Sequence, residues 1–446
     1  MRTIRMLIGL ILLGLLTAGF ADAQPKQEKK MDDLLSLSRT FVKQLAQEDY
    51  AAATHSFDAT MQKVMPQEKL RAAWHAILAQ AGALKQQLGT RTTKAQGYDI
   101  VIVTCEFVLA KIDIKLVFDS QKRIAGLFFS PTDTSSEYKS APYARPGTFE
   151  EKEVAVGSGE WVLKGSLTLP LGSGPFPALV LVHGSGPHDR DETIGPNKPF
   201  RDLAEGLASQ GIAVLRYEKR THAYGNKLET IKNFTVNQET VDDAAAAAKL
   251  LLKTPGIDRK RVFVLGHSLG GMILHRVVKA VPQVHGLIMM AGATRPLDEV
   301  IVEQTAYIAG LQAKLTDDDK AKIEALKQDL ARLKDPEIAR TPEKMIMGAP
   351  VSYWLDLRNI DPPKEAKALT QSMLILQGGK DYQVTEKDFA NWKQALSSHK
   401  NAVFKFYPDL YHLFMPGKKT PADYEQAGHV EKVVVDDIAQ WIHGQR

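Results

Sequence analysis

The sequence predicts an α/β protein: a small α+β domain precedes a mostly parallel sheet that is flanked by helices and carries a helical cap insertion. Three observations favour this class. Apolar runs without alternation, such as residues 178–182 and 262–265, are typical of strands buried on both faces of a parallel sheet. Helical stretches separate these runs, as expected where strands and helices alternate. Residues 31–130 instead pass from helical spacing to strand alternation, which is the order of an α+β domain.

The N-terminus has the pattern of a secretory signal. Arg2 and Arg5 precede the apolar run 6–20, and Ala21-Asp22-Ala23 supplies a small-residue cleavage site. We expect residues 1–23 to be removed, since the run is shorter than the about 20 residues that span a bilayer. The mature protein would then be periplasmic or extracellular, without stable membrane insertion. If uncleaved, the same segment would be a membrane anchor.

The small α+β domain is predicted over residues 31–130. Apolar residues between Leu34 and Leu45 fall at helical spacing, whereas residues 111–118 alternate as in a half-buried strand. Cys105 is the only cysteine, so no intramolecular disulfide can form. Because it lies in an apolar, strand-like run, we expect a buried structural thiol.

Residues 131–148 are interrupted by prolines, serines and a glycine, which indicates an interdomain linker. The second domain then covers residues 149–446, and residues 161–169 are its predicted edge strand.

One connection in the second domain is too long for an ordinary crossover. It joins the apolar runs 287–290 and 373–376. The amphipathic helical spacing of residues 323–333 lies within it. We therefore expect residues 296–365 to form a helical cap over the carboxyl edge of the sheet.

The charge balance excludes a nucleic-acid footprint. The chain has 57 basic and 52 acidic residues, a formal net charge of +5, without a concentrated basic stripe. A metal site is the alternative for one loop, where His183, His188, Asp189 and Asp191 lie close together in sequence. Their spacing matches no ligand pattern, so we expect neither a metal nor another cofactor.

The motif Gly266-His267-Ser268-Leu269-Gly270 is the first candidate for chemistry. It directly follows the apolar run 262–265 and opens into the helical stretch 272–278. A strand, a sharp turn and a helix present a serine on a strained elbow, and the helix dipole favours negative charge there. Ser268 is therefore the predicted nucleophile.

A serine needs a base, and the base needs a carboxylate that orients it. His412 follows a strand-like run near the end of the chain and is the preferred base, with His429 and His443 as alternatives. Asp381 follows another apolar run and is the preferred acid, with Asp409 as its rival.

The oxyanion formed on attack needs two preorganised donors. The N–H of Leu269, directly after the serine, is one. The other is expected in the loop after an apolar strand, where Ser185 is preferred because Gly184 and Gly186 let the backbone approach the substrate.

Three segments, Val182 to Pro187, Gly266 to Gly271 and Leu376 to Val384, together resemble bacterial secreted α/β-hydrolases of the serine-aminopeptidase-like and dienelactone-hydrolase-like group. The resemblance covers residues 149–446. It implies the α/β-hydrolase fold and the same site residues: Ser268, Asp381 and His412, with Leu269 and Ser185 at the oxyanion hole. Residues 31–130 resemble the small nuclear-transport-factor-like or cystatin-like domain that often precedes such hydrolases.

The resemblance implies hydrolysis of small-molecule carboxylic esters with short acyl chains. A serine aminopeptidase or amidase of the same fold stays open, because similar folds cleave several acyl bonds. An aminopeptidase would need acids to hold the substrate amine, and Glu218, Asp298, Glu299 and Glu303 are available. A non-catalytic binding protein that works through its N-terminal domain is a third hypothesis, and a homo-oligomer is possible.

Overall fold

A computed structural model describes residues 23–95, 98–108, 110–132, 138–311, 317–346 and 348–445. The predicted signal segment falls almost wholly on residues 1–22, outside the described ones, and stays a prediction. Across the described residues, none of the helices combines the length and the hydropathy that crossing a membrane would require. The chain divides into two compact units, residues 1–133 and 134–446.

The smaller unit packs helices against an antiparallel sheet. Its helices are α1 (Ala23–Ala46), α2 (Tyr50–His55), α3 (Ala59–Val64) and α4 (Gln67–Ala81). The sheet follows in chain order, with β1 (Leu84–Ala95), β2 (Tyr98–Phe107), β3 (Lys111–Phe118) and β4 (Ile124–Pro131). Trp74 of α4 packs on Phe107 of β2, and Cys105 is fully buried beside them in the same apolar core. The predicted α+β class and the buried thiol are both confirmed.

The larger unit is built on a sheet that has eight strands within the described residues. They are β5 (Phe149–Val156), β6 (Leu163–Pro170), β7 (Phe176–Val182), β8 (Ala213–Tyr217), β9 (Ile257–His267), β10 (Gly286–Met290), β13 (Ser372–Gly378) and β14 (Ala402–Tyr407). The strands β11 (Met345–Ile346) and β12 (Ala349–Pro350) form a separate short hairpin. Their spatial order is β14-β13-β10-β9-β7-β8-β6-β5. The strands from β14 to β8 are mutually parallel, and β6 and β5 pair antiparallel beyond them. The mostly parallel sheet is as predicted.

The edge strand was predicted wrongly. Residues 161–169 were expected at the edge, but β6 lies inside the sheet and β5 takes the edge. Four consecutive charged residues, Glu150 to Glu153, hide β5 from an apolar pattern. Such charges are typical of an exposed edge, where they discourage pairing with another chain.

Helices cover both faces of the sheet. They are α5 (Pro199–Ala208), α6 (Arg220–Tyr224), α7 (Asp242–Leu251), α8 (Leu269–Ala280), α9 (Leu297–Gly310), α10 (Asp317–Arg332), α11 (Val351–Arg358), α12 (Pro362–Lys367), α13 (Glu386–Ala395) and α14 (Lys432–Gly444). Successive residues of a central strand enter opposite cores: Val180 packs with α7 and α8, and Leu181 packs with α5 and α14. This burial on both faces explains the uninterrupted apolar runs.

The long connection between β10 and β13 is mostly helical, as the sequence predicts. It contains α9, α10, the β11–β12 hairpin, α11 and α12.

The segment that precedes β5 is held to the larger unit by two tyrosines. Tyr138 donates to Asp202 Oδ1 at 2.7 Å, and Tyr143 donates to the carbonyl of Val430 at 2.7 Å.

Candidate active site

The predicted site residues lie on loops that leave the carboxyl ends of four parallel strands. Ser268 follows β9, Ser185 follows β7, Asp381 follows β13 and His412 follows β14. Neighbouring parallel strands end at the same edge of a sheet, where open α/β folds bind their ligands. The topology therefore brings residues that are far apart in sequence to one edge.

Ser268 occupies a strained turn between β9 and α8. Its φ of 54° and ψ of −117° are unusual for a residue with a side chain. The two glycines of the motif make the turn possible. A Cβ on Gly266 would lie 2.3 Å from the Gly270 backbone, and a Cβ on Gly270 would lie 2.3 Å from the Val182 carbonyl oxygen. The half-buried Ser268 thus sits on the expected elbow at the amino terminus of α8.

His412 and Asp381 form a buried hydrogen-bonded pair. Nδ1 of His412 lies 2.7 Å from Oδ2 of Asp381. The other carboxylate oxygen accepts from the backbone N–H groups of Gln383 at 2.7 Å and Val384 at 3.0 Å. These bonds fix the carboxylate, so it can hold the imidazole in one orientation.

The alternatives to this pair lie elsewhere. His429 Nδ1 lies 2.9 Å from Asp202 Oδ1. His443, which is near the end of the chain, forms a hydrogen bond with the carbonyl of Gln210. Asp409 is exposed on a turn. The structure therefore joins the preferred base to the preferred acid and gives each rival a different environment.

The two predicted oxyanion donors belong to segments that adjoin Ser268. Leu269 is the first residue of α8, so its N–H has no acceptor within the helix. The β7 loop lies beside the serine, since a Cβ on Gly184 would be 3.2 Å from Ser268 Cβ. The N–H of Gly184 is already used by Glu192 Oε1, at 2.6 Å. Within the described part of the chain, no hydrogen bond engages the N–H of Ser185.

A second buried pair links these loops. Nδ1 of His267 lies 2.8 Å from Oε2 of Glu192, and Nε2 of His267 lies 3.0 Å from the backbone carbonyl of His412. Burial would raise the pKa of Glu192, but the adjacent His267, with His188 and His183, outweighs burial, and the pKa falls to about 2. Burial would also lower the pKa of His267, yet the carboxylate raises it. Oxygen atoms thus lie within 3.0 Å of both ring nitrogens, but the contact at Nδ1 is electrostatic and lacks the alignment of a hydrogen bond.

The side chains of the alternative metal hypothesis form hydrogen bonds and ion pairs with other protein groups. His183 Nε2 contacts the Asp189 carbonyl at 3.0 Å, His188 Nε2 contacts the Ser185 carbonyl at 2.7 Å, and Asp191 pairs with Lys198 and Arg216. In the ranges that the structure describes, no three His, Cys, Asp or Glu side chains gather as metal ligands would.

Three of the four acids proposed for an aminopeptidase are paired with arginines. Glu218 bonds Arg190, Asp298 bonds Arg358 and Glu303 bonds Arg295. Glu299 is exposed on α9. An arginine beside a carboxylate already supplies the positive charge that a substrate amine would otherwise provide.

Sequence reasoning gave no role to Glu192, His267 or Lys219. His267 stands inside the serine motif, which was the one available signal, but its partner Glu192 is remote in sequence. Lys219 donates to the Gly184 carbonyl at 2.6 Å, a contact that no local pattern indicates.

Comparison with known proteins agrees with this architecture. Residues 175–418 match the family described as serine aminopeptidase, S33, and residues 38–127 match DUF3887, a protein family of unknown function. Esterase EstD of Thermotoga maritima is 39% identical over 404 residues, covering 90% of this chain and 93% of that protein. Esterase FrsA of Klebsiella pneumoniae is 29% identical over 251 residues, 53% of this chain and 54% of that protein.

A solved esterase structure from Pyrococcus furiosus has a TM-score of 0.45 at 15% identity, covering 66% of this chain and 91% of its own. The family match spans more than half of the chain, and EstD aligns over nearly its full length. This chain therefore belongs to the serine aminopeptidase S33 family of α/β-hydrolases, with a DUF3887 domain at its N-terminus.

Proposed function

We propose that this enzyme hydrolyses small-molecule carboxylic esters with short acyl chains through an acyl-enzyme on Ser268. The observation that carries the proposal is the buried 2.7 Å contact between His412 Nδ1 and Asp381 Oδ2, at the sheet edge that also holds the strained serine. His412 acts as general base, and Asp381 orients it. The N–H groups of Leu269 and Ser185 form the oxyanion hole.

The first half of the reaction acylates the serine. Since Asp381 occupies Nδ1 of His412, Nε2 is left to take the proton from Ser268 as its oxygen attacks the ester carbonyl. The oxyanion of the tetrahedral intermediate accepts from Leu269 N–H and Ser185 N–H. His412 then returns the proton to the leaving alcohol, and the C–O bond breaks.

The second half releases the acid. Water gives a proton to His412 Nε2 and attacks the acyl carbonyl, and the same two N–H groups stabilise the second intermediate. Collapse of this intermediate returns the proton to Ser268 and frees the carboxylic acid.

Two observations favour esters over peptides with a free amine. Three candidate amine-binding carboxylates are already paired with arginines. Both curated relatives are esterases by name, and one aligns with 90% of this chain. The ester preference is therefore the better supported of the two hydrolase hypotheses.

A fluorophosphonate labelling experiment tests the nucleophile. We expect one adduct on the Ser268 peptide of the folded protein and no hydrolysis of p-nitrophenyl acetate or butyrate by Ser268→Ala. A folded protein whose Ser268 peptide stays unlabelled would contradict the proposal. Ester hydrolysis that survives in Ser268→Ala would point to another residue.

The leaving group separates esterase from aminopeptidase. We expect turnover of p-nitrophenyl esters and little turnover of aminoacyl p-nitroanilides. Faster cleavage of the anilides, lost on Glu299→Gln, would favour the aminopeptidase instead.

A further inference from the structure

Lys219 makes a direct contact with the peptide that carries the proposed oxyanion donor. Its Nζ donates to the Gly184 carbonyl oxygen at 2.6 Å, and the side chain is almost fully buried. That carbonyl and the Ser185 N–H belong to the same planar peptide group. Fixing the carbonyl therefore fixes the direction of the N–H.

We propose that Lys219 is a positioning residue that orients and polarises the Gly184–Ser185 peptide for oxyanion stabilisation. The inference rests on the proposed function, in which Ser185 N–H binds the oxyanion. A cation on a carbonyl oxygen withdraws electron density from the peptide, and hydrogen bonds in such a chain strengthen each other. The donor is thus held in place before the substrate arrives.

The lysine is itself held by a buried network that reaches the insertion. Nζ also donates to Glu239 Oε1 at 2.8 Å, and Tyr353 of α11 donates to Glu239 Oε2 at 2.8 Å. Glu239 lies in a π-helical turn, Asn237–Val241, and such turns often occur at functional sites. The insertion between β10 and β13 is thereby connected to the oxyanion loop.

The neighbouring ion pair shows that burial alone does not produce this contact. Arg220 bonds Asp243 through two nitrogens, at 2.9 and 2.5 Å, and both side chains are buried. Within the described residues, the Arg220 side chain forms its hydrogen bonds with Asp243 and none with the Gly184 loop. Arg220–Asp243 therefore gives a matched control for Lys219–Glu239.

The test replaces both members of a pair with neutral residues of similar size, because replacing only one partner would leave a buried charge unpaired. We expect Lys219→Met/Glu239→Gln to lower kcat about 10- to 100-fold, less than the 10²- to 10³-fold effect of deleting an oxyanion donor. KM should change less than about threefold, since the contact acts on the transition state. Arg220→Met/Asp243→Asn should keep the wild-type kcat per folded molecule.

A trifluoromethyl ketone gives the readout that a merely structural role would not change. Its hemiketal with Ser268 places an oxyanion in the hole, so its affinity should fall by the same factor as kcat/KM in the Lys219 variant. The affinity of a product carboxylate should stay near that of wild type. Lys219→Arg, which keeps the cation, should recover part of both losses.

Tyr353→Phe provides a milder variant in case the double variant does not fold. Without the tyrosine hydroxyl, Glu239 loses one hydrogen-bond donor and attracts the Lys219 ammonium more strongly, away from the Gly184 carbonyl. We expect kcat and ketone affinity to fall together by about two- to fivefold. Wild-type protein that neither binds the ketone nor labels at Ser268 would refute the proposed function. Wild-type protein that does both, with unchanged ketone affinity in the folded Lys219 and Tyr353 variants, would refute the inference.

Discussion

His267 and Glu192 form a buried ion pair, 2.8 Å from Nδ1 to Oε2, that joins the serine elbow to the loop after β7. Through Nε2 the same imidazole holds the backbone carbonyl of His412 at 3.0 Å. One side chain thus ties together the segments that carry the proposed nucleophile, base and oxyanion donor.

Glu192→Gln is expected to lower the pKa of His267 and to reduce kcat about tenfold. The amide oxygen can still accept from Gly184 N–H, but it no longer offsets the burial that lowers the pKa of His267. A pH titration of ¹⁵N-labelled histidines followed by NMR measures the first effect, and ester hydrolysis measures the second. An unchanged His267 titration in the folded variant would show that the carboxylate does not hold the proton there.

Asp381→Asn is expected to lower kcat by about 10⁴-fold with little change in fold. The asparagine amide cannot accept from His412 Nδ1 when its nitrogen faces the ring, so the imidazole takes the wrong tautomer or orientation. Steady-state ester hydrolysis with a circular dichroism spectrum checks both parts. Asp409→Asn is the matched control: Asp409 is exposed, and its variant should retain wild-type kcat. The opposite ranking of the two variants would make Asp409 the orienting acid.

The sequence predicts the parts of the site that depend on local order. Ser268 and Asp381 each follow an apolar strand, so an apolar run and the turn after it were sufficient to predict them. Glu192 and Lys219 could not be found in this way, since each contacts Gly184 only after the chain has folded. Tyr353 and Glu239 are further apart still, and their contact depends on where the insertion packs.

The fold follows the same rule. Strands buried on both faces are evident from uninterrupted apolar residues, whereas β5 is hidden by its charges. The β11–β12 hairpin has strands of two residues, too short for any periodicity. Periodicity reports burial, so elements that are exposed or very short escape it.

Gly266→Ala is expected to destabilise the protein by about 3 kcal/mol or more. Its Cβ would lie 2.3 Å from the backbone of Gly270, and backbone atoms cannot move aside without opening the elbow. Gly310→Ala is the control, because no atom of the described residues lies within 4 Å of a Cβ there and α9 ends at this residue. Its free energy of unfolding should be unchanged or up to about 1 kcal/mol higher. Urea unfolding measures both, and equal effects would contradict the packing argument.

His275 is expected to make the larger unit sensitive to acid. Burial, followed by the nearby Arg276, lowers its pKa from 6.5 to about 4. Below pH 6.5 the unfolded chain binds a proton that the folded protein resists, so the free energy of unfolding falls as the pH drops from about 6.5 to about 4. The loss is about 1.4 kcal/mol per pH unit, up to about 3 kcal/mol.

His275→Leu should lower the slope by up to about 1.4 kcal/mol per pH unit, although it changes the stability at neutral pH as well. A slope remains in the variant, because burial also lowers the pKa of His183, to about 3. The measurement is the slope of the unfolding free energy against pH between 6.5 and 4.5, not its absolute value. His443→Gln, at an exposed position on the last helix, should retain the wild-type slope. Equal slopes for His275→Leu and wild type would assign the acid sensitivity to other groups, such as the buried His183.

Cys105 offers a specific probe of the smaller unit, because it is the only cysteine of the chain and is fully buried. Burial, with a further contribution from Asp113, raises the pKa of its thiol to about 12. The thiolate is the reactive form, so an aromatic disulfide reagent should react about 10³-fold more slowly with the folded unit than with the unfolded chain. When the reagent reacts with Cys105, it releases an aromatic thiol that can be measured. Measuring this release together with ester hydrolysis during heating tests whether the two units unfold independently. Thiol release that precedes the loss of activity would show that the larger unit keeps its fold without the smaller one, whereas coincident transitions would show that they unfold together.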